Sequence, residues 1–495
     1  MRILALALVV ACAAFSASSA TYSEDVAPIL LDNCASCHRP GQAGPFSLLT
    51  YEDAKKRGQL IVAVTESRYM PPWHADESDV PFHGSRRMSD AQIATLAQWV
   101  KDGMPQGDPA KAPAPPQFAE GWELGEPDTV ATMRETYEIP ADGPDLYRYF
   151  VLDFPIEKTE YMSAIEFQPG SRPVVHHVLG FLVDGKDVEG VKSEELGRFT
   201  NDGNRVLTWA VGTNPRILPE DIGVEVRPGM KLVAQMHYHP TGKLEKDRSR
   251  VGFHFAAEKP SKRYIEVQVP ADFGQISAID VPAGSDTYTL RETFTLPVDV
   301  DAFSTFAHAH YIGKAFDLEA QLPSGETKKL LKIGNYDFAW QEIYNFQDPV
   351  RLPAGTKLKS TIRWDNRAEN PVNPYSPPRD IPWGSFSEDE MGSIILDVVV
   401  VNPADEATLA EAKEERDLLS MVNFYVATDG KFCDERCSPP KNLQKKAEKF
   451  AKERFDKNGD GKLDAAEKAM AREFLTERGF DDPTQRDGAR LAAVR

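Results

Sequence analysis

The chain has 495 residues, of which 41% are hydrophobic and 27% charged, and a formal net charge of −19. That length exceeds one ordinary core and the composition is that of a folded chain, so a multidomain protein is expected and a disordered one is excluded. The acidic balance excludes a nucleic-acid partner, whose phosphates need Lys- and Arg-rich surfaces, and it disfavours a polybasic membrane contact.

Residues 1–20 read as an export signal: Arg2, an apolar run from Ile3 to Ala11, then small residues ending in Ser18-Ser19-Ala20. The run is too short to cross a bilayer, and no later stretch reaches the roughly 20 apolar residues of a transmembrane segment. Val9-Val10-Ala11-Cys12 offers a second processing route that leaves a lipid anchor at Cys12. Cleavage after Ala20 and lipidation at Cys12 both stay open, and both imply a periplasmic or secreted protein. In such an oxidising compartment Cys433 and Cys437 read as a local disulfide, with a thiolate metal site as the alternative.

Residues 21–107 carry three helical patterns. The third is the clearest, with a Ser89/Gln92 capping box, Ile93, Leu96 and Val100 at helical spacing, and Gly103 after its end. Cys34-Ala35-Ser36-Cys37-His38 is the attachment signature of a covalent haem c, with two thiols for the vinyl groups and a histidine for the iron. A methionine is expected as sixth ligand. Met70, in Met70-Pro71-Pro72, is preferred, and Met88 and Met104 compete. The segment resembles the small cytochrome c domains fused to bacterial oxidoreductases, which implies an all-α cytochrome c domain. A Pro/Ala-rich linker follows over 108–134.

From residue 135 the texture changes to short runs rich in Val, Ile, Phe and Tyr between Pro/Gly turns, among them 147–154, 174–183, 231–238, 304–311 and 393–401. Spacing of this kind predicts two antiparallel β-sandwich domains, 135–259 and 260–405, joined near Pro260. A helical connector is expected over 406–440 and a small α-helical EF-hand tail over 441–495.

All but one of the histidines in the β region fall in close pairs. His308 and His310 lie two apart on a predicted strand, so they share a face and can chelate one ion. His237 and His239 also share a face. The adjacent pair His176-His177 would face opposite sides of a regular strand, and binds one metal only if the strand is distorted or the rings use different nitrogens. His254, in an apolar strand, reads as a satisfied core histidine. His74 and His83 read as surface or haem-edge residues.

The order His176-His177, Trp209 to His237, His308-x-His310 and Glu390-Met391-Gly392 resembles the copper type II, ascorbate-dependent monooxygenases, across about Asp145 to Val401. That family includes peptidylglycine α-hydroxylating monooxygenase and dopamine β-monooxygenase, whose members have two β-sandwich domains with one copper each across an open cleft. The resemblance implies two copper ions, one held by His176, His177 and His237, the other by His308, His310 and Met391, with O2 bound at the second. Two departures stand out. The positions of the family's peptide-carboxylate clamp are Phe306 and Ile395, and no cysteine occurs between His38 and Phe432.

Asp456, Asn458, Asp460, Lys462 (through its carbonyl), Asp464 and Glu467 fill the ligand positions of an EF-hand loop, with Gly461 at the turn, and imply Ca2+. A lone loop suits a structural or docking role better than a cooperative sensor. Together these readings predict a copper-dependent monooxygenase that hydroxylates an unidentified organic substrate with O2, with electrons delivered through the haem from a small reductant or a redox partner protein. The alternative is a non-catalytic haem/copper electron-transfer or copper-handling protein.

Overall fold

The computed structural model describes residues 20–42, 44–118, 121–199, 204–384, 386–428 and 440–486. Cys12 and the Cys433/Cys437 pair lie outside the described residues. The chain divides into two compact units, Met1–Pro72 with Met88–Phe118, and Trp73–Arg87 with Ala119–Arg495.

The smaller unit contains the helices Ala27–Asn33, Tyr51–Glu66 and Asp90–Lys101. Thr50 caps the second by accepting from the Asp53 amide, and Ser89 and Gln92 form a reciprocal capping box on the third, so their first amides are satisfied. Leu30, Leu96 and Trp99 are fully buried between them. The expected all-α cytochrome c domain over 21–107 is nevertheless not formed. Residues 73–87 contain no helix and belong to the other unit, where Ala75 and Phe82 bridge to Ile333 and Phe346. The reason is local. Trp73, Ala75, Val80 and Phe82 have no helical spacing, and their segment is satisfied as an added edge, with the Asp76, Asp79 and His83 amides donating to the carbonyls of Lys332, Lys329 and Asn345.

The larger unit is built mainly from sheets. Its first part is one antiparallel sheet of nine strands. Along the sheet run Arg205–Ala210, Val175–Asp184, Met230–Tyr238, Leu146–Asp153, Thr129–Met133, Arg250–Phe255, Glu160–Gln168 and Arg216–Ile217, with Val224–Val226 beside Glu160–Gln168. Its two ends curl together, and the Arg216 guanidinium on one edge strand donates to the Val206 carbonyl on the other at 3.4 Å. This nearly closed barrel replaces the first expected sandwich. Alternation tells which face of a strand is buried, but not whether a second sheet or the same sheet curled over covers it.

The second part pairs Ile265–Val269, Gly392–Val400, Val300–Ala309 and Ile343–Leu352 in one sheet, and Thr289–Thr295, Lys357–Trp364, Gly313–Gln321 and Thr327–Ile333 in another. Lys357–Trp364 alternates exposed and buried positions as a strand with one solvent-facing side should, whereas all nine residues of Gly392–Val400 are buried. That strand is covered on both faces, because Val399 and Phe303 belong to the core of the nine-stranded sheet. Two buried ion pairs join the same elements, Arg205 to Glu266 at 2.8 Å and Arg216 to Asp397 at 3.0 Å.

The C-terminal helices are not a separate tail. Glu406–Thr428, Lys441–Phe455 and Ala465–Thr476 share one core with Ala271, Ile276 and Ala278 of the preceding sheet region. Phe480 then bridges to Glu292. Among the described residues no helix is long and apolar enough to cross a membrane.

Candidate metal centres

His176, His177 and His237 converge. Each offers a ring nitrogen, and these atoms all lie within 4.8 Å of one another. The distortion that adjacent histidines require is present. Val175 pairs with Tyr238 but His177 pairs with His237, so His176 is the extra residue of a β-bulge and its ring turns to the side of its neighbour. The Nδ1 of His237 lies 3.2 Å from Nδ1 of His176 and 3.1 Å from Nδ1 of His177. The His237 Nε2–H donates to the Asp145 carboxylate at 2.7 Å, which leaves the Nδ1 lone pair for the cluster. Burial holds His176 down to about 4 and His177 well below the usual range, so both rings are neutral and able to ligate at pH 7. His239 stands outside the cluster. It is largely exposed and donates from Nδ1 to the other oxygen of Asp145.

The second group forms at strand ends. His308 and His310 have ring centres 5.2 Å apart and perpendicular planes. Strand Val300–Ala309 pairs with Gly392–Val400 so that His308 faces Ser393 and Ala309 faces Gly392, the residue that follows Met391 in the chain. Both imidazoles are fixed through Nδ1, His308 donating to the Gln341 side-chain oxygen at 2.6 Å and His310 to the Asp389 carbonyl at 3.1 Å. The Nε2 lone pairs are therefore the ones left for a metal. Burial lowers His308 to about 4 and His310 to about 3. Glu390, fully buried, ties the two chain ends together by accepting from the amides of His310, Ile312 and Met391 and from the Trp364 indole. Only glycine fits at 392, where a Cβ would lie 2.4 Å from the Trp364 ring.

Phe338 connects the groups, with ring centres 6.0 Å from His177, 6.4 Å from His308 and 5.4 Å from His310. Trp340, on the same loop, lies 6.1 Å from His176. Asp145, Phe338, Trp340 and Gln341 were not singled out by the sequence. Isolated residues of these types carry no spacing signal, and only the fold brings them to the histidines. Phe306 and Ile395 face each other across paired strands, both buried, with Phe306 stacked at 6.3 Å from His308. Neither supplies a polar group.

In the smaller unit Cys34 and Cys37 are both free, and burial pushes the Cys34 thiol up to about 12. The His38 Nδ1–H donates to the Phe46 carbonyl at 3.1 Å, leaving Nε2 free. Met88 is buried in the core of this unit and Met104 packs against it, whereas Met70 is half-buried and outside that core. His74 and His83 lie instead with the β-rich unit. His74 donates to the Asn335 carbonyl, and His83 is exposed beside a cavity of about 540 Å³. The Nε2 of His254 is buried without a hydrogen-bond partner, so it is not the satisfied core histidine that its strand suggested.

The loop Asp456–Glu467 is folded around its own carboxylates. Asp456 accepts from the amides of Gly459 and Gly461, and Asn458 and Asp460 accept from the second amide beyond each. Glu467, buried, accepts from the amides of Lys457, Asn458 and Asp464.

Neutral, buried imidazoles whose free lone pairs converge are the donor set that suits a transition-metal ion. No family profile matches the chain. It is similar to a tyramine beta-hydroxylase from Caenorhabditis briggsae, at 21% identity over 268 residues, covering 50% of this chain and 44% of that protein. The chain thus spans under half the length of this curated relative. Among solved structures, the major capsid protein P2 of bacteriophage PM2 matches 55% of this chain and 96% of its own length at 11% identity and a TM-score of 0.25. The VP2 subviral particle of infectious bursal disease virus matches 60% and 77% at 10% identity and a TM-score of 0.18. Likeness at that level carries no argument about fold or function.

Proposed function

We propose that the chain is a copper-dependent monooxygenase that converts R–H, O2, two electrons and two protons to R–OH and water. The observation that carries this reading is the convergence of His176, His177 and His237 through a β-bulge, with the pair His308 and His310 as a second group, to which the sequence order adds Met391. The donor sets fit copper. Three imidazoles suit an ion that cycles between oxidation states, and a thioether beside two imidazoles favours the reduced one. When bound, copper supplies one-electron transfer at the first group and O2 activation at the second.

The protein's own share is positional. Asp145, Gln341 and the Asp389 carbonyl fix which nitrogen His237, His308 and His310 present, and burial keeps His308 and His310 unprotonated. Phe306 and Phe338 surround His308 with aromatic surface that excludes water and suits an apolar or aromatic substrate, such as the tyramine named for the relative.

Cys34, Cys37 and His38, with Met70 as sixth ligand, are proposed to hold a covalent haem that relays electrons one at a time, and Asp456–Glu467 to hold Ca2+. The free thiols and the fixed His38 tautomer fit the first assignment, and the inward-folded carboxylates fit the second. An exported location follows from the haem signature and the N-terminal signal. The test is O2 uptake by reduced, copper-loaded protein with tyramine and related arylalkylamines. Substrate-dependent uptake with hydroxylated product is expected. Uptake that no substrate changes supports the electron-transfer reading instead.

A further inference from the structure

The loop 270–279 has two faces. One lies against the second histidine group, where the Phe273 ring meets His308 edge-on at 5.2 Å and Gly274 sits so close to strand Gly392–Val400 that a Cβ there would be 3.1 Å from the Gly392 carbonyl oxygen. The Trp383 indole donates to the Phe273 carbonyl at 3.0 Å and the Ser393 hydroxyl to the Pro270 carbonyl at 2.8 Å. On the other face, Ala271, Ile276 and Ala278 are buried in the core formed with the C-terminal helices, beside Val422, Phe455 and Leu475. Arg486 reaches back from beyond those helices. Its guanidinium donates to the carbonyls of Ser277 at 2.6 Å and Ala278 at 3.0 Å while paired with Asp481 at 2.8 Å.

The backbone between these faces does not choose its shape unaided. Asp272, Phe273 and Ala278 have φ of 52°, 51° and 53°, a left-handed region that residues with a Cβ disfavour. Such conformations persist where the surroundings impose them. At Ala278 the surroundings are the helical core and Arg486, whereas Asp272 and Phe273 are held from the sheet side by the Gln268 side chain and the Trp383 indole.

We propose that Phe273 is a positioning residue for the His308 imidazole, and that the C-terminal helices set its place through the loop 270–279. This rests on the reading of His308, His310 and Met391 as a copper site. Gln341 holds the ring by Nδ1 and Phe273 blocks its rotation about that bond. When the helices loosen, the loop relaxes toward ordinary φ values and Phe273 withdraws.

The test uses the full chain with the first site silenced by His237→Ala, so that Cu(II) added to it reports the second. Leu475→Ala removes packing from the last helix without touching the histidines, and Leu475→Val is a milder form should the first unfold. Amide exchange at residues 271–279 is expected to rise about tenfold, with strand Val300–Ala309 unchanged. Phe273→Ala and the Leu475 variant should shift the copper hyperfine splitting in the same direction, and Phe273→Tyr, which keeps the ring, should restore it. Loop exchange unchanged in a folded Leu475 variant overturns the proposal, as does a spectrum of Phe273→Ala identical to that of Phe273→Tyr. A chain that takes up no copper overturns the assignment of Phe273 and the copper reading together, while the exchange measurement, made without copper, isolates the link between helices and loop.

Discussion

The Phe338 ring stands 6.0 Å from the His177 imidazole, centre to centre, although the two residues come from different sheet regions of the chain. The same ring lies 5.4 Å from His310. One aromatic side chain therefore lies against both candidate centres and contributes to the burial that keeps their imidazoles neutral.

Replacing Phe338 by Ala should admit water and move the pKa of His177 and His310 back toward the ordinary imidazole value. Protons would then compete with copper at a higher pH. The variant is expected to lose copper at pH 5.5 on gel filtration, where the parent chain, with His310 lowered to about 3, retains it. Equal retention at that pH would show that Phe338 does not govern the desolvation.

Glu292 provides a pH dependence away from the metal centres. Burial raises its carboxyl to about 7, against the ordinary 4.5, and one of its oxygens is buried without a partner. Between those two values the unfolded chain is deprotonated at this position while the folded chain holds its proton. The contribution of Glu292 is therefore fully present below about pH 4.5, falls as the pH rises to 7, and changes no further above it. Glu292→Gln should abolish that component and raise stability at pH 8. Urea unfolding at pH 5 and pH 8 checks this, and an unchanged difference between the two conditions contradicts it.

Arg216 and Asp397 form a nearly dry ion pair between the barrel and the second sheet region, and Ser304 adds a hydrogen bond to the same carboxylate. Breaking one side of a buried pair leaves an uncompensated charge, at a cost of about 3–5 kcal/mol. Arg216→Met should therefore destabilise the chain by that order, and Arg216→Met with Asp397→Leu by less than either change alone. Chemical denaturation of the three variants measures the coupling.

If Asp456–Glu467 holds Ca2+ as proposed, calcium should raise the melting temperature in proportion to the logarithm of its free concentration once the site saturates. Glu467→Gln should abolish the rise. A melting temperature indifferent to calcium and to a chelator removes the calcium assignment.

The histidine groups were legible because period-two spacing places His308 and His310 on one face, and because adjacent His176 and His177 demand a distortion that the bulge supplies. What the sequence hid was everything set by distant closure. Gln341 lies 33 residues from the ring it holds, and Asp145 lies 92 from His237. Strand alternation could not tell a curled nine-stranded sheet from a sandwich. Residues 73–87 follow the Cys34–His38 segment with no break in the sequence pattern, yet Trp73 and Phe82 are buried against Tyr344 of the β-rich unit. The apolar face of the C-terminal helices gives no sign in the sequence of its partner, which is the loop at Ala271–Ala278.

The central claim is that two separate side-chain groups each hold one copper. Copper per chain, measured by mass spectrometry after reconstitution and desalting, tests it most directly. Two equivalents are expected in the parent chain and one in each of His237→Ala and His308→Ala. Parent-level copper in both variants, or no copper in the parent, contradicts it.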